Sequence, residues 1–341
     1  MKRAVVLFNL GGPDSPAAVQ PFLFNLFNDP AIVRLARPLR WAVAQLISRR
    51  RAPVARDIYG KIGGRSPLLD NTEAQARALE TALGEDHRCF VAMRYWHPLA
   101  AETARAVRGW APDEILLLPL YPQFSTTTTG SSLANWENAA RHAGLTMPMR
   151  RICCYPRQGG LVAAMTKLVR RGRAELAGRK HRVLFSAHGL PEKVVAAGDP
   201  YQWQVEASVA AVVAALAAPD LDWTICYQSR VGPLAWIGPS TDSEVGRAGK
   251  EGVAVIVVPI SFVSEHSETL VELDIEYRHL AEKAGVPAYV RVPTVGIDPD
   301  FIGGLAELVR DSAASPPLRS GEGRRICPAV FGECPLRPAA A

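Results

Sequence analysis

No stretch of this 341-residue chain approaches the roughly 20 consecutive apolar residues that a membrane-spanning helix needs. Met1-Lys2-Arg3 leads into a short strand-like run ending at Gly11-Gly12-Pro13, which is unlike a secretory leader. The expectation is a cytosolic protein, whose six cysteines are free, metal-binding or redox-active rather than paired in structural disulfides. The chain also lacks G-x-G-x-x-G after its first apolar run and G-x-x-x-x-G-K-[ST] anywhere, so nucleotide cofactors lose their usual phosphate cradle. No G-x-S-x-G turn is present to expose a serine nucleophile. His266-x-Glu268 opens the zinc deaminase pattern, but its Pro-Cys-x-x-Cys partner is missing. The net charge of +6 is modest for this length. The basic residues crowd into two segments, Arg34 to Arg51 and Arg170 to Lys180, without the interleaved aromatics or known module of a nucleic-acid reader.

What is present is an alternation of short apolar runs with helical segments, the pattern of a parallel α/β protein. The spacing predicts strands at Ala4–Leu10, Cys89–Tyr95, Glu114–Leu120 and Arg150–Tyr155, then at Arg182–Ser186, Trp223–Gln228, Val253–Ile260 and Tyr289–Val292. Four and four predicts two similar doubly wound, Rossmann-like domains, residues 1–158 and 159–312, each with a four-stranded parallel sheet flanked by helices and facing a shared active-site cleft. Polar loops follow several of these strands, at the carboxyl ends where open α/β folds place ligands. Residues 21–53 break the alternation, combining Phe22, Leu23, Phe24, Leu26 and Phe27 with an apolar Trp41–Ile47 stretch and closing on Arg49-Arg50-Arg51. Such a segment is either a basic amphipathic lip that lies on an anionic membrane or covers the site, or a helical hairpin packed on the sheet. Residues 313–341 turn to Ser, Pro, Gly and Arg, a tail rather than a domain, and carry Cys327 and Cys334.

Two features carry chemistry. After the Val253–Ile260 run the chain continues with helical periodicity, placing Leu270, Leu273, Tyr277 and Leu280 on one face and Glu265, Glu268, Glu272 and Glu276 on another. Carboxylates at this spacing repel by a few tenths of a kcal/mol, roughly, per pair. The stripe is either a solvated acidic face or a site that holds a cation or moves protons; its start at a strand end beside His266 favours the second. His188 sits in Ser186-Ala-His-Gly-Leu-Pro191, on a strand-end loop with Gly189 for close approach. It is either a structural hydrogen-bonder or, paired with Glu268, a metal ligand or a general base with a carboxylate partner. Two such ligands leave most of a metal's coordination open, which suits transient handling of a cation.

Ser186 to Pro191, Gly198-Asp-Pro-Tyr201, Gln228-Ser-Arg-Val-Gly-Pro233 and Ser264 to Tyr277 resemble the ferrochelatase family. So do Asn9-Leu-Gly-Gly-Pro13, Tyr59-x-x-Ile-Gly-Gly-x-Ser-Pro67, Met93-Arg-Tyr-Trp-His-Pro98 and Tyr121-Pro-Gln-Phe-Ser125 with Thr128-Thr-Gly-Ser-Ser132. The resemblance runs in order from residue 4 to about residue 310. It implies the last step of haem synthesis, insertion of Fe(II) into protoporphyrin IX with release of two protons. Related chelatases act on coproporphyrin III or another metal, and a non-catalytic tetrapyrrole carrier would need neither His188 nor the carboxylate stripe.

The resemblance also implies residue roles. His188 would take a pyrrole proton or ligate incoming iron, with Glu268 its partner across the ring and a second metal contact. Glu272 and Glu265, with Glu276 behind them, would relay protons or cations. Tyr59, Ser66, Arg94, Tyr95, Tyr121, Trp236 and Phe262 would surround the macrocycle, Arg94 pairing with a propionate. Residues 21–53 would form an apolar lip with peripheral membrane contact. Activity should fall on the acid side as the imidazole protonates. Some members hold a 2Fe–2S cluster on a C-terminal extension. Here Cys153, Cys154, Cys327 and Cys334 would supply four thiolates, although the tail departs from the family's three-cysteine pattern. The alternative is two buried strand cysteines beside a disordered tail. The sequence carries no signal for oligomeric state.

Overall fold

The computed structural model describes residues 1–230, 232–313 and 315–336; Val231, inside the Gln228–Pro233 motif, and the last five residues of the tail lie outside the described residues. The strands are β1 (Arg3–Asn9), β2 (His87–Met93), β3 (Glu114–Pro119), β4 (Met149–Ile152), β5 (His181–His188), β6 (Trp223–Gln228), β7 (Ala254–Pro259), β8 (Tyr289–Arg291) and β9 (Leu318–Arg319). They form two sheets, ordered β2-β1-β3-β4-β9 and β6-β5-β7-β8. The chain divides into two compact units: Met1–Tyr121 with Ser125–Cys153 and Ser312–Leu318, and Pro122–Phe124 with Cys154–Asp311 and Arg319–Ala341. The doubly wound α/β class follows from the sequence because the central strands are continuous apolar runs, the mark of parallel strands covered on both faces.

In the first unit every residue of β1 is buried, and β1 pairs in parallel with β2 and β3. Ala4, Val6 and Phe8 face a core with Ile115, Leu117 and Trp136, where the Phe8 and Trp136 rings meet edge-on at 5.8 Å. A second cluster joins Val19, Phe22, Leu23, Ala52 and Tyr59 to Tyr95. It is built by two helices, Val19–Phe27 and Arg37–Gly60, which pack on each other. Residues 21–53 are therefore a packed helical hairpin on one side. On the other, Leu39, Trp41, Leu46 and Val54 are more than half exposed.

In the second unit β5 pairs in parallel with β6 and β7, and its interior residues are buried. Leu184, Cys226, Val245, Val255, Val257 and Leu273 make the core on one face. The register sets His188 beside Gln228 and Ser186 beside Pro259. The loops after β5, β6 and β7 thus leave the sheet at one end, side by side.

Two expectations change. The first sheet has five strands rather than four, because Leu318–Arg319 lies against the otherwise open edge of β4. Covering an edge strand in this way removes a row of unpaired backbone groups. The segment after residue 313 is accordingly not a loose tail. Gly321 donates its N–H to the Cys154 carbonyl at 2.7 Å, Gly321 packs on Tyr155 and Leu308, and Cys327 and Cys334 are buried. The Ser-Pro-Pro stretch at residues 315–317 leads directly into this short strand.

Candidate functional site

His188 closes β5, and its geometry fixes its tautomer. Nδ1 lies 2.6 Å from the Gly189 carbonyl oxygen. A carbonyl only accepts, so Nδ1 carries the proton and Nε2 presents a lone pair. That Nε2 stands 3.8 Å from Glu268 Oε2, a buried oxygen that makes no hydrogen bond among the described residues. His266 approaches the same oxygen with its Nε2 at 3.9 Å. The Thr269 N–H donates to His266 Nδ1 at 3.3 Å, which leaves the His266 proton on Nε2, facing the carboxylate. Burial pushes the His266 imidazole below its usual range and keeps it neutral. The site thus offers an acceptor nitrogen, a donor nitrogen and an unsatisfied carboxylate oxygen converging on one point.

The carboxylates follow from a change of helix type. Glu268–Glu276 is a π-helix, continued by an α-helix over Tyr277–Lys283, and not the uninterrupted α-helix that the periodicity predicted. The i→i+5 turn is wider than an α-turn and is frequent at functional sites. It lets Tyr277 reach back five residues and donate its hydroxyl to Glu272 Oε1 at 3.1 Å. Glu272 further accepts from the Ser229 N–H at 2.7 Å, the Ser229 hydroxyl at 2.5 Å and Gln228 Nε2 at 3.2 Å. Ser229 reaches this position in a left-handed conformation, φ 60°, at the end of β6. Burial raises the Glu272 pKa and the neighbouring Glu268 charge raises it further, against the lowering effect of the Ser229 donors. Glu276, the last of the stripe, is exposed.

Glu265 departs from the relay expected of it. Its carboxylate is held by Arg291 Nη1 at 2.6 Å, the Thr269 hydroxyl at 2.5 Å and the Thr294 N–H at 3.0 Å. Arg291, nearly buried, ties it to Asp274 at 2.9 Å. Such a fixed ion pair anchors the π-helix rather than passing charge along it.

Trp236 and Phe262 line the same loops. A side chain at Gly189 would come within 3.3 Å of the Trp236 ring and 3.0 Å of the Gln228 carbonyl, so glycine gives Trp236 room to lie close to the chain next to His188. Phe262 packs edge-on against His266, with ring centres 4.7 Å apart. The Tyr201 hydroxyl reaches the backbone of His188.

The first unit gathers the other expected residues in two groups. Tyr59 and Ser66 are buried around Gly12, where a Cβ would lie 2.4 Å from Ser66 Oγ. Arg94, Tyr95 and Tyr121 form the second group. Arg94 lies over the Tyr95 ring at 4.9 Å, and its guanidinium is 2.8 Å from buried Asp29 and 2.7 Å from Ser131 Oγ. Asp29 also accepts from Tyr95 Oη at 2.7 Å and Ser131 Oγ at 2.5 Å. The charge that the propionate was expected to meet is already paired within the protein. Burial pushes the Tyr121 phenol well above its usual range.

One expected relation does not hold. A macrocycle lying between two groups needs a contact of about 3.5 Å on each face, roughly 7 Å in all. His188 and Glu268, 3.8 Å apart, leave no such space between them. Sequence reasoning also gave no role to His266, Gln228, Ser229, Tyr277 or Tyr201. All five sit in the quoted motifs; the contact made by Tyr277 was hidden because residues five apart do not face each other in an α-helix.

Of the four cysteines expected to hold a cluster, two are adjacent in the chain and two meet in the tail. Cys153 ends the first unit's segment and Cys154 begins the second's; both are buried. In the second unit the Cys334 thiol is hydrogen-bonded to Cys327. Among the described residues no group of three or more His, Cys, Asp or Glu is arranged to hold a metal ion. Two adjacent thiols are half of what such a cluster requires.

Residues 2–313 match the family model described as Ferrochelatase. The chain is 55% identical over 347 aligned positions to the ferrochelatase of Caulobacter vibrioides (strain NA1000 / CB15N), covering 99% of both chains. It is 56% identical to that of Phenylobacterium zucineum (strain HLK1), covering 99% of this chain and 98% of the relative. Among solved structures it is similar to SirB from Bacillus subtilis with Fe3+, at TM-score 0.56 and 13% identity, covering 92% of this chain and 96% of that one. The sirohydrochlorin chelatase SirB of Bacillus subtilis subspecies spizizenii, in complex with cobalt, gives 0.55 and 14%, covering 93% and 97%. At these identities the structures speak for the fold.

Proposed function

The chain belongs to the ferrochelatase family, and from that premise we propose how its residues serve the insertion of Fe(II) into protoporphyrin IX, which yields protohaem and two protons. The observation that carries the proposal is the His188 Nε2 lone pair 3.8 Å from an oxygen of Glu268 that makes no hydrogen bond among the described residues. A planar porphyrin keeps its pyrrole N–H groups in the ring plane. Contacts of Trp236 and Phe262 with the apolar ring can offset a distortion of about 1–5 kcal/mol that tilts a pyrrole towards Nε2. His188 takes the proton as a general base. Glu268 receives it next, and the proton moves along the π-helix to Glu272, whose raised pKa suits a proton store, and out at exposed Glu276. His266, kept neutral, aims its Nε2–H at Glu268 and steadies the charge there. Ferrous iron, the second substrate, meets the same His188–Glu268 pair once the nitrogens are free. In the first unit, Tyr59 and Ser66 flank the ring edge, and Arg94, fixed by Asp29, offers Tyr95 and Tyr121 as a rigid aromatic wall. No step passes through an iron–sulfur cluster.

The lip extends the proposal to location. Leu39, Trp41, Leu46 and Val54 are exposed on a helix that also exposes Arg37, Arg49, Arg50 and Arg51. An apolar and basic face of this kind binds anionic lipid surfaces. No helix among the described residues is long and apolar enough to cross a membrane. We read the protein as a cytosolic enzyme that touches the membrane peripherally, where its poorly soluble substrate partitions.

Anaerobic turnover with protoporphyrin IX and with coproporphyrin III, each with Fe(II) and Zn(II), tests this function. Faster insertion of Fe(II) into protoporphyrin IX supports it. Preference for coproporphyrin III would assign the substrate differently, and porphyrin binding without turnover would make the chain a carrier.

A further inference from the structure

We propose that the first unit carries a further binding site, for a small hydroxycarboxylate, in a cavity of about 430 Å³. The end of the Val19–Phe27 helix, the start of the Ala100–Trp110 helix and the Ser131–His142 helix line it. Its volume lies within the roughly 300–1,000 Å³ of ligand clefts. Four of the lining side chains are carboxamides, Asn25 and Asn28 on one wall and Asn135 and Asn138 on another. Each pair is three residues apart, the spacing at which side chains of a helix share a face.

The hydrogen bonds already made within the protein decide what the cavity can take. Asp29 is saturated. Its Oδ2 accepts from Arg94 at 2.8 Å, Tyr95 Oη at 2.7 Å and Ser131 Oγ at 2.5 Å, and its Oδ1 accepts from the Ala31 N–H at 2.9 Å. Arg94 donates from Nε to Ser131 Oγ at 2.7 Å and from Nη2 to Asp29, which leaves Nη1 without a partner among the described residues. The side chains of Asn28 and Asn135 likewise make no hydrogen bond among the described residues. Ala101 adds an N–H of a first helical turn, which has no partner within the helix. Unused donors are thus gathered around a cation, and a planar carboxylate matches the edge of its guanidinium. Asp29 already offsets the Arg94 charge, so one carboxylate is accommodated more cheaply than a phosphate dianion. The acceptors call for a hydroxyl on the same ligand. Asn25 donates its Nδ2 to the Tyr95 carbonyl at 3.0 Å, which leaves its Oδ1 to accept. His142 Nδ1 lies 2.7 Å from the Asn138 carbonyl oxygen, so the neutral ring keeps its lone pair on Nε2.

The test is calorimetric titration of the metal-free, porphyrin-free full-length protein with malate, succinate, inorganic phosphate and glycerol. The expected result is one malate per chain, bound more tightly than succinate, which lacks the hydroxyl, and than phosphate, with no binding of glycerol. Asn135→Leu should weaken malate about tenfold, the usual loss for a hydrogen bond to a charged group. Ala101→Glu sets a carboxylate at the cavity in a first helical turn, where acidic residues favour the helix, and should abolish malate binding while circular dichroism stays that of the parent. Absence of malate binding, tighter binding of phosphate or glycerol, or unchanged malate affinity in both variants would overturn the proposal. So would displacement of malate by one equivalent of protoporphyrin IX, which would make the cavity part of the porphyrin site.

Discussion

His188 presents a lone pair because the Gly189 carbonyl takes its other nitrogen, so one backbone oxygen determines which atom can act as base. Glu272 shows the same economy of placement in its titration. Its pKa is raised by burial and by Glu268, so the folded protein binds that proton more tightly than the unfolded chain does. The stability this proton confers is complete below the ordinary carboxylate pKa and is lost as pH rises through the raised value. Glu272→Gln removes the titration. The stability of the parent relative to the variant should therefore fall as pH rises through and above the carboxylate range, as measured by urea unfolding at several pH values. A gap that widens with pH would show that the Ser229 donors dominate instead. At this scale the sequence placed His188 and Glu268 together through their strand-end positions. It did not show the Arg94–Asp29 pair, because nothing local pointed to an aspartate beyond a distant helix end.

The π-helix is the element on which the site depends. Its anchor is Arg291, tied to Glu265 and Asp274 and only 8% exposed. Arg291→Met leaves two carboxylates without their cation and should lower stability by about 3 kcal/mol, the low end for breaking a buried pair because both carboxylates are partly solvated. Denaturant unfolding measures this, and a loss below about 1 kcal/mol would reduce the anchor to an ordinary surface pair. The eight longer strands were legible because buried β-branched runs have few alternatives at their length. The π-helix was not, since its turn matches neither the helical nor the strand period, and β9 was not, since two residues carry no period at all. The packing of the segment read as a tail was not legible either, since composition does not report that Arg325 gathers four carbonyls around itself.

For the whole molecule, the membrane contact proposed for the exposed lip has a direct consequence in sedimentation. The parent should sediment with vesicles containing anionic lipid and less so as salt rises, because the Arg contribution is screened. Replacing Leu39, Trp41 and Leu46 by Ser should abolish sedimentation while turnover with detergent-dispersed porphyrin persists. Equal sedimentation of the two proteins would remove the membrane from the account.

The central claim is that His188 accepts the pyrrole proton beside Glu268. The most direct measurement is single-turnover insertion of Fe(II) into protoporphyrin IX by the parent and by His188→Ala, followed anaerobically through haem absorbance with porphyrin binding monitored separately. The account predicts bound porphyrin in both and a rate lower by about 10²–10⁴-fold in the variant. Insertion at the parental rate in His188→Ala would contradict it.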